Sequence, residues 1–172
     1  MNKTFLPTSE HCFVCGEANP AGLGTRFYVE NDVVKMPLTA KHHHCGYPNR
    51  IHGGIVAAAV DECMGWAAAR AIQRMCVTGD LSVRYIRPVT LDKAFTVCAE
   101  VLRSNRRLVH CAATIIDEHG EVHVRGEGRF LPLTVEQTLR VDDNLLYKGG
   151  EERVFAPLRE GEPENGGAGE RT

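Results

Sequence analysis

"NRIHGGIVAAAVDECMGWAAA", residues 49–69, decides the fold. From Ile55 to Ala69 the chain is almost wholly Ala, Val, Ile, Met, Cys and Trp, and these side chains cover nearly the whole circumference of a helix instead of one stripe. That pattern belongs to a helix buried on every side. Asp61 and Glu62 interrupt it. Being adjacent, they point about 100° apart, so at most one of them faces a given pocket or solvent channel.

Outward from this helix, the flanking segments read as strands. Before it, LGTRFYVE alternates Leu23, Thr25, Phe27 and Val29 with polar neighbours, Asn31-Asp32 marks a turn, and VVKMPL returns. A loop, KHHHCGYPN, leads to the helix, which is expected from about Gly54 to the region of Arg70 and Arg74, cations that suit the negative end of its dipole. After it come extended stretches at 76–89, 94–103, 108–116 and 122–131; SNRR and DEHG supply hairpin turns, so the neighbours are antiparallel. TVEQTLRVDDN reads as a short surface helix, and the Gly-, Pro- and Glu-rich end is expected to be disordered. The expected organisation is an N-terminal CxxC segment (1–22), a main domain (23–132), an extension (133–148) and a loose tail (149–172). A helix apolar all round needs cover on every side, which a sheet provides by curling around it.

Composition narrows the classes of function. A chain of 172 residues, 43% apolar and 24% charged, can bury a core without disulfides or metal. A net charge of -2 offers no nucleic-acid surface. No long apolar run is visible, so neither a signal peptide nor a membrane span is expected. Seven cysteines, several alone in apolar stretches, point to a reducing cytoplasm.

The order of strand pair, "GYPNRIHGG", a buried helix with Asp nine residues after the His, and then "TGDLSVRYIRPV" resembles the hotdog fold of acyl-CoA thioesterases. The branch it resembles holds the phenylacetate-pathway (PaaI-type) and thioesterase-superfamily-member enzymes. "CFVCGEANPAGLGTRF" is similar to the start of many bacterial members, and the resemblance spans roughly residues 12–132. It implies an α+β hotdog architecture, an antiparallel sheet wrapped around a long central helix. It also implies hydrolysis of an acyl or aryl thioester to free acid and coenzyme A, without a cofactor, coenzyme A being part of the substrate.

Thioester hydrolysis needs a base or nucleophile and donors for the carbonyl oxygen as it gains charge. His52, Gly53 and Gly54 stand where a helix start offers unpaired N–H groups, and glycine allows a carbonyl to approach closely. The resemblance assigns the oxyanion role to Gly53. Asp61 then activates water or attacks directly, its apolar surroundings disfavouring the charged form and making it a better base. The resemblance also places a hydroxyl beside the carboxylate, here Thr78, to orient water. Glu62 is read as a solvent or interface residue. Along a continuous helix, Gly53 and Asp61 are separated by roughly 12 Å, too far to serve one thioester. The Gly53 end of one subunit is therefore expected to meet Asp61 and Thr78 of another across a two-fold axis, in a dimer or dimer of dimers.

Coenzyme A carries phosphates, so cations are expected at the mouth: Arg84 and Arg87 on the Thr78 strand, and Arg103, Arg106 and Arg107 around a hairpin. Asn49 joins these as a substrate-binding candidate. Cys12 and Cys15, with His11 nearby and His42–Cys45 further on, raise zinc, but a single CxxC lacks the four ligands of a structural site. It is read as a tight turn, with no metal expected, and His42, His43 and His44 as a loop flanking the substrate mouth. Two rival functions share these features: an acyl-thioester dehydratase or hydratase, with a His and a carboxylate around the helix, and a non-catalytic acyl-CoA-binding protein.

Overall fold

The computed structural model describes residues 3–161. In chain order its elements are β1 (Thr4–Phe5), β2 (Thr8–Ser9), β3 (Tyr28–Glu30), β4 (Val33–Leu38), a turn of 3-10 helix (His42–His44), β5 (Cys45–Tyr47), β6 (Arg50–Ile51) and α1 (Gly53–Ile72). There follow β7 (Cys76–Tyr85), β8 (Phe95–Asn105), β9 (Leu108–Asp117), β10 (Val122–Pro132), α2 (Val135–Asp142), β11 (Leu145–Leu146) and α3 (Ala156–Arg159). Seven strands form one antiparallel sheet in the order β1-β3-β4-β8-β9-β10-β7. With α1 packed against β4, β7, β8, β9 and β10, this is the expected α+β hotdog architecture.

The buried helix starts and stops for local reasons. His52 caps it, its Nδ1 accepting the Gly54 N–H at 3.0 Å, and Gln73 ends it in a left-handed conformation at φ 52°. Asn31 and Asp32, at φ 53° and 62°, close the β3–β4 hairpin with the two positive angles that such a tight turn requires. The first strand of that hairpin is shorter than its pattern: only Tyr28–Glu30 joins the ladder. Leu23, Thr25, Phe27 and Val29 are nevertheless all buried, so the alternation reports burial accurately where pairing stops.

Close approach of helix to sheet rests on β10. A Cβ at Gly126 would fall 2.4 Å from Val60 Cγ1, and one at Gly128 would fall 3.2 Å from Met64 Cε. The "VRGEGRF" run thus leaves two gaps under α1, which Val60 and Met64 fill. Trp66 meets Phe27 on another side, with ring centroids 6.5 Å apart. Leu6, Val14, Cys15 and Phe155 belong to the same core, so the segments before and after the main domain share its interior.

The end of the chain corrects an expectation. Within the tail read as disordered, residues 151–158 are anchored to the domain: Val154 and Phe155 are buried, Glu152 accepts from Arg70 Nε at 2.9 and 3.0 Å, and Glu151 pairs with Arg26. Two apolar anchors and long-range ion pairs hold a stretch whose composition alone reads as loose. The end of that expected tail, 162–172, lies outside the described residues. α2 forms where expected, capped by Thr134, but its Thr138 and Asp142 are buried; Asp142 takes Arg159 at 2.6 Å and the Tyr147 hydroxyl.

Among the described residues, one flank of α1 stays uncovered. Gly54, Ala58, Asp61 and Gly65 repeat along a single line of the helix and are exposed or half-buried. Beside them runs β7, the edge strand, which leaves Val77, Leu81, Tyr85 and the adjoining Ile86 exposed. Gly126→Ala, by forcing Val60 off β10, is expected to lower unfolding free energy by about 1–3 kcal/mol in urea titration; an unchanged midpoint would show that α1 shifts freely.

Candidate active site

Asp61 sits halfway along α1 and faces β7. Thr78 Oγ1 donates to Asp61 Oδ1 at 2.8 Å, the pairing that the sequence reading expected. The two line a recess of about 120 Å³ whose other walls include Trp66, Met75, Cys76 and Phe130. Burial raises the Asp61 carboxyl above the ordinary aspartate range, and the Thr78 hydrogen bond acts in the opposite direction. A half-buried carboxylate with one oxygen held by a hydroxyl and apolar walls around it is a stronger base than an exposed one.

Glu62, read as a solvent or interface residue, is largely covered within its own chain. It turns away from Asp61 toward the N-terminal segment, where Cys12 Sγ donates to its Oε1 at 3.5 Å. Burial first, then the neighbouring Cys12, pushes the Glu62 carboxyl up to about 8. Glu62 also lines the recess that holds Asp61, but its hydrogen bond is to Cys12 while that of Asp61 is to Thr78.

At the other end, β6 delivers the chain to the helix start. Ile55 and Val56 donate their N–H groups to the His52 carbonyl at 3.0 and 3.1 Å, and Gly54 donates to the His52 ring. Among the described residues, no acceptor takes the Gly53 N–H, so of the first-turn donors it is the one left to bind an anion. The same inventory separates Gly53 from Gly54, which the sequence alone could not do. His52, exposed, accepts at Nδ1 and so carries its proton on Nε2 when neutral; it can donate outward but offers no basic lone pair there. Tyr85, absent from the sequence candidates, lies over this turn: its hydroxyl donates to the Gly53 carbonyl at 2.6 Å. An aromatic at the end of an edge strand was the available signal.

The cation candidates separate by position. Arg87 borders a groove of about 450 Å³ with Tyr47, His52, Gly53 and Tyr85, donating to the Val122 carbonyl at 2.6 Å and pairing with Glu121 at 3.0 Å. Arg84 pairs with Arg125 across β7 and β10, on the sheet face opposite to that of Gly126 and α1. Arg103 lies near the end of β8 and Arg106 in the β8–β9 turn, toward the Thr78 end of the sheet. Asn49 is committed to the loop: at φ 57°, its Oδ1 accepts the Leu91 N–H at 3.1 Å. Of the three histidines, His44 is a buried pin, its Nδ1 accepting from Lys41 N and its Nε2 lying 3.0 Å from the Ala21 carbonyl.

A long helix cradled by a seven-stranded antiparallel sheet is the hotdog fold. Residues 49–123 match the family model described as the thioesterase superfamily, which bears out the resemblance read in the sequence. Among solved structures, a thioesterase superfamily protein is similar at 28% identity and a TM-score of 0.65, over 71% of this chain; this chain spans only 63% of the length of that one. The Escherichia coli PaaI protein from the phenylacetic acid degradation operon is similar at 14% identity and a TM-score of 0.59 (65% and 81% covered). A hypothetical thioesterase from Streptococcus pneumoniae, solved with coenzyme A, is similar at 18% identity and a TM-score of 0.55 (58% and 80% covered). No curated protein matches the chain in sequence. Among the described residues, no helix is long and apolar enough to cross a membrane.

Thr78→Val removes the hydrogen bond that favours the charged form of Asp61, so the carboxyl is expected to titrate at higher pH. Infrared or NMR titration of the side chain reads this directly; an unmoved or lowered midpoint would show that Thr78 does not act on Asp61.

Proposed function

We propose that the protein hydrolyses an acyl or aryl thioester of coenzyme A to the free acid and coenzyme A. The observation that carries this reading is the Thr78–Asp61 hydrogen bond inside an apolar recess, which supplies a raised, oriented carboxylate of the kind that water activation or direct attack requires. Gly53 supplies the complementary group, a backbone N–H at the positive end of α1. As the thioester carbonyl becomes tetrahedral, its oxygen gains charge against this N–H, while Thr78 holds the carboxylate in place. Arg87 lies on the groove beside Gly53 together with Arg50, and the two are the cations placed there for a coenzyme A phosphate.

Within one chain the two groups sit too far apart for one carbonyl, roughly 12 Å along the axis. The uncovered flank of α1 and the exposed apolar edge of β7 fit a second copy laid across them, which brings Gly53 of each chain to Asp61 and Thr78 of the other. Each dimer then has two equal sites. The dehydratase or hydratase reading asks His52 for a basic nitrogen, and its Nδ1 is already spent on the Gly54 N–H. A purely binding role leaves the raised Asp61 carboxyl without a task. The reducing cytoplasm read from the cysteines is a suitable compartment for such an enzyme.

Asp61→Asn is expected to lower turnover of an acyl-CoA panel, followed with a thiol reagent, by about 10²–10⁴-fold with folding retained. Full activity in that variant would remove the carboxylate from the mechanism. Gly53→Pro tests the donor: proline suits a first helical position, and His52, at φ -59° and ψ 135°, already has the extended backbone that a following proline demands. It deletes the N–H and adds a ring whose Cβ would stand 3.5 Å from the Tyr85 ring, an ordinary contact, and is expected to cost about 10²–10³-fold. Mixing the two inactive variants, after dissociation and reassociation, is expected to restore about a quarter of wild-type activity through hybrid dimers with one intact site. Absence of recovery would show that the groups act within one chain.

A further inference from the structure

We propose that Cys12, Cys15 and Glu62 bind a zinc ion that ties the N-terminal segment to the central helix. The sequence shows only two of these ligands, which is why no metal was expected from it. The fold brings the third from 50 residues away, and the two Sγ atoms and a Glu62 oxygen lie within 4.8 Å of one another. Ligands about 2.0–2.3 Å from a tetrahedral zinc stand roughly 3.3–3.8 Å apart, so a small convergence completes three corners, and water takes the fourth.

The turn that carries the cysteines is shaped to present sulfur. Val14 and Cys15 donate their N–H groups to Cys12 Sγ at 3.3 and 3.5 Å, and Ser9 donates to Cys15 Sγ at 3.4 Å. These backbone donors hold both sulfurs in place on one turn, and each thiol gives up its proton when a metal binds. Gly16 lets the turn close: a Cβ there would fall 2.4 Å from the Cys12 carbonyl oxygen and 2.6 Å from the Cys12 nitrogen. The loop is therefore held in one compact shape by backbone bonds before any ligand arrives, including Gly16 N–H to the Cys12 carbonyl at 2.9 Å.

Glu62 supplies the second line of argument. Its carboxylate is largely buried, and among the described residues no Lys, Arg or His approaches it within ion-pair distance. A divalent cation between the three replaces their protons and balances the charge of one carboxylate and two thiolates. Two sulfurs with one carboxylate select a thiophilic ion, zinc, over calcium or magnesium. The ion would sit beside Glu62, one residue from Asp61, and so fix the rotation of α1 at the candidate base without touching the thioester. The proposal does not depend on the thioesterase reading, since its readout is metal binding.

Cobalt(II) is the probe, added to the reduced, chelator-treated full chain. One cobalt per chain is expected, with a thiolate-to-cobalt charge-transfer band, tetrahedral visible bands, and displacement of both by zinc. Cys12→Ser and Cys15→Ser are each expected to cut the charge-transfer band to about half and weaken cobalt binding, and the double variant to lose the band, with circular dichroism checking that they fold. Glu62→Gln keeps both sulfurs and nearly the same shape, and is expected to weaken cobalt binding at least about 10-fold, which keeps the test decisive if a serine variant fails to fold. Reduced protein that binds no cobalt, cobalt bound without the charge-transfer band, or affinity indifferent to Glu62→Gln overturns the proposal.

Discussion

The packing of α1 onto β10 is the constraint on which the rest of the structure depends. Val60 and Met64 occupy space that side chains at Gly126 and Gly128 would fill, so the helix axis lies close to the sheet. That closeness sets Asp61 within hydrogen-bonding reach of Thr78 on β7, the strand next to β10. Protein interiors tolerate little free volume, and a helix displaced outward by even part of a methyl group would lengthen the Asp61–Thr78 contact. A carboxylate that must be both dry and held is thus positioned by two glycines on a neighbouring strand.

The helix is also a device with two working ends. At its start, the Gly54, Ile55 and Val56 N–H groups are taken by His52 and, among the described residues, the Gly53 N–H is not, while Tyr85 reaches from β7 to hold the Gly53 carbonyl. Two turns later, Asp61 faces a recess walled by Trp66, Met75 and Phe130. The dipole favours anions at the first place, and burial disfavours them at the second. One rigid element therefore carries opposite electrostatic preferences a short distance apart.

Much of this was legible from residue patterns. The unbroken apolar circumference of 55–69 identified the central helix, and period-two alternation located β8, β9 and β10 to within a few residues. The Asp61–Thr78 pair was reached through resemblance, and its geometry bears the expectation out. What escaped shares one physical character: contacts between residues far apart in the chain. Arg70 and Glu152 are separated by 82 positions and Cys12 and Glu62 by 50, so no local window shows either pair. Phe155 lies in a run whose Gly and Glu content masks a single buried anchor. The roles of His52 as a cap and His44 as a pin were invisible for a related reason, since imidazoles reveal which nitrogen is engaged only when their neighbours are placed.

The placement of Gly53 and Asp61 on one rod carries a mechanical consequence for the proposed pair of subunits. Each helix would lend its beginning to one centre and its middle to the other. Sliding it along its own axis would then tighten the fit at one thioester while loosening it at the twin, because the distance between the two groups is set by helical rise and does not stretch. Such a coupling makes the two centres competitors for a shared ruler, and gives the assembly a route to unequal occupancy without any change in the residues that line them.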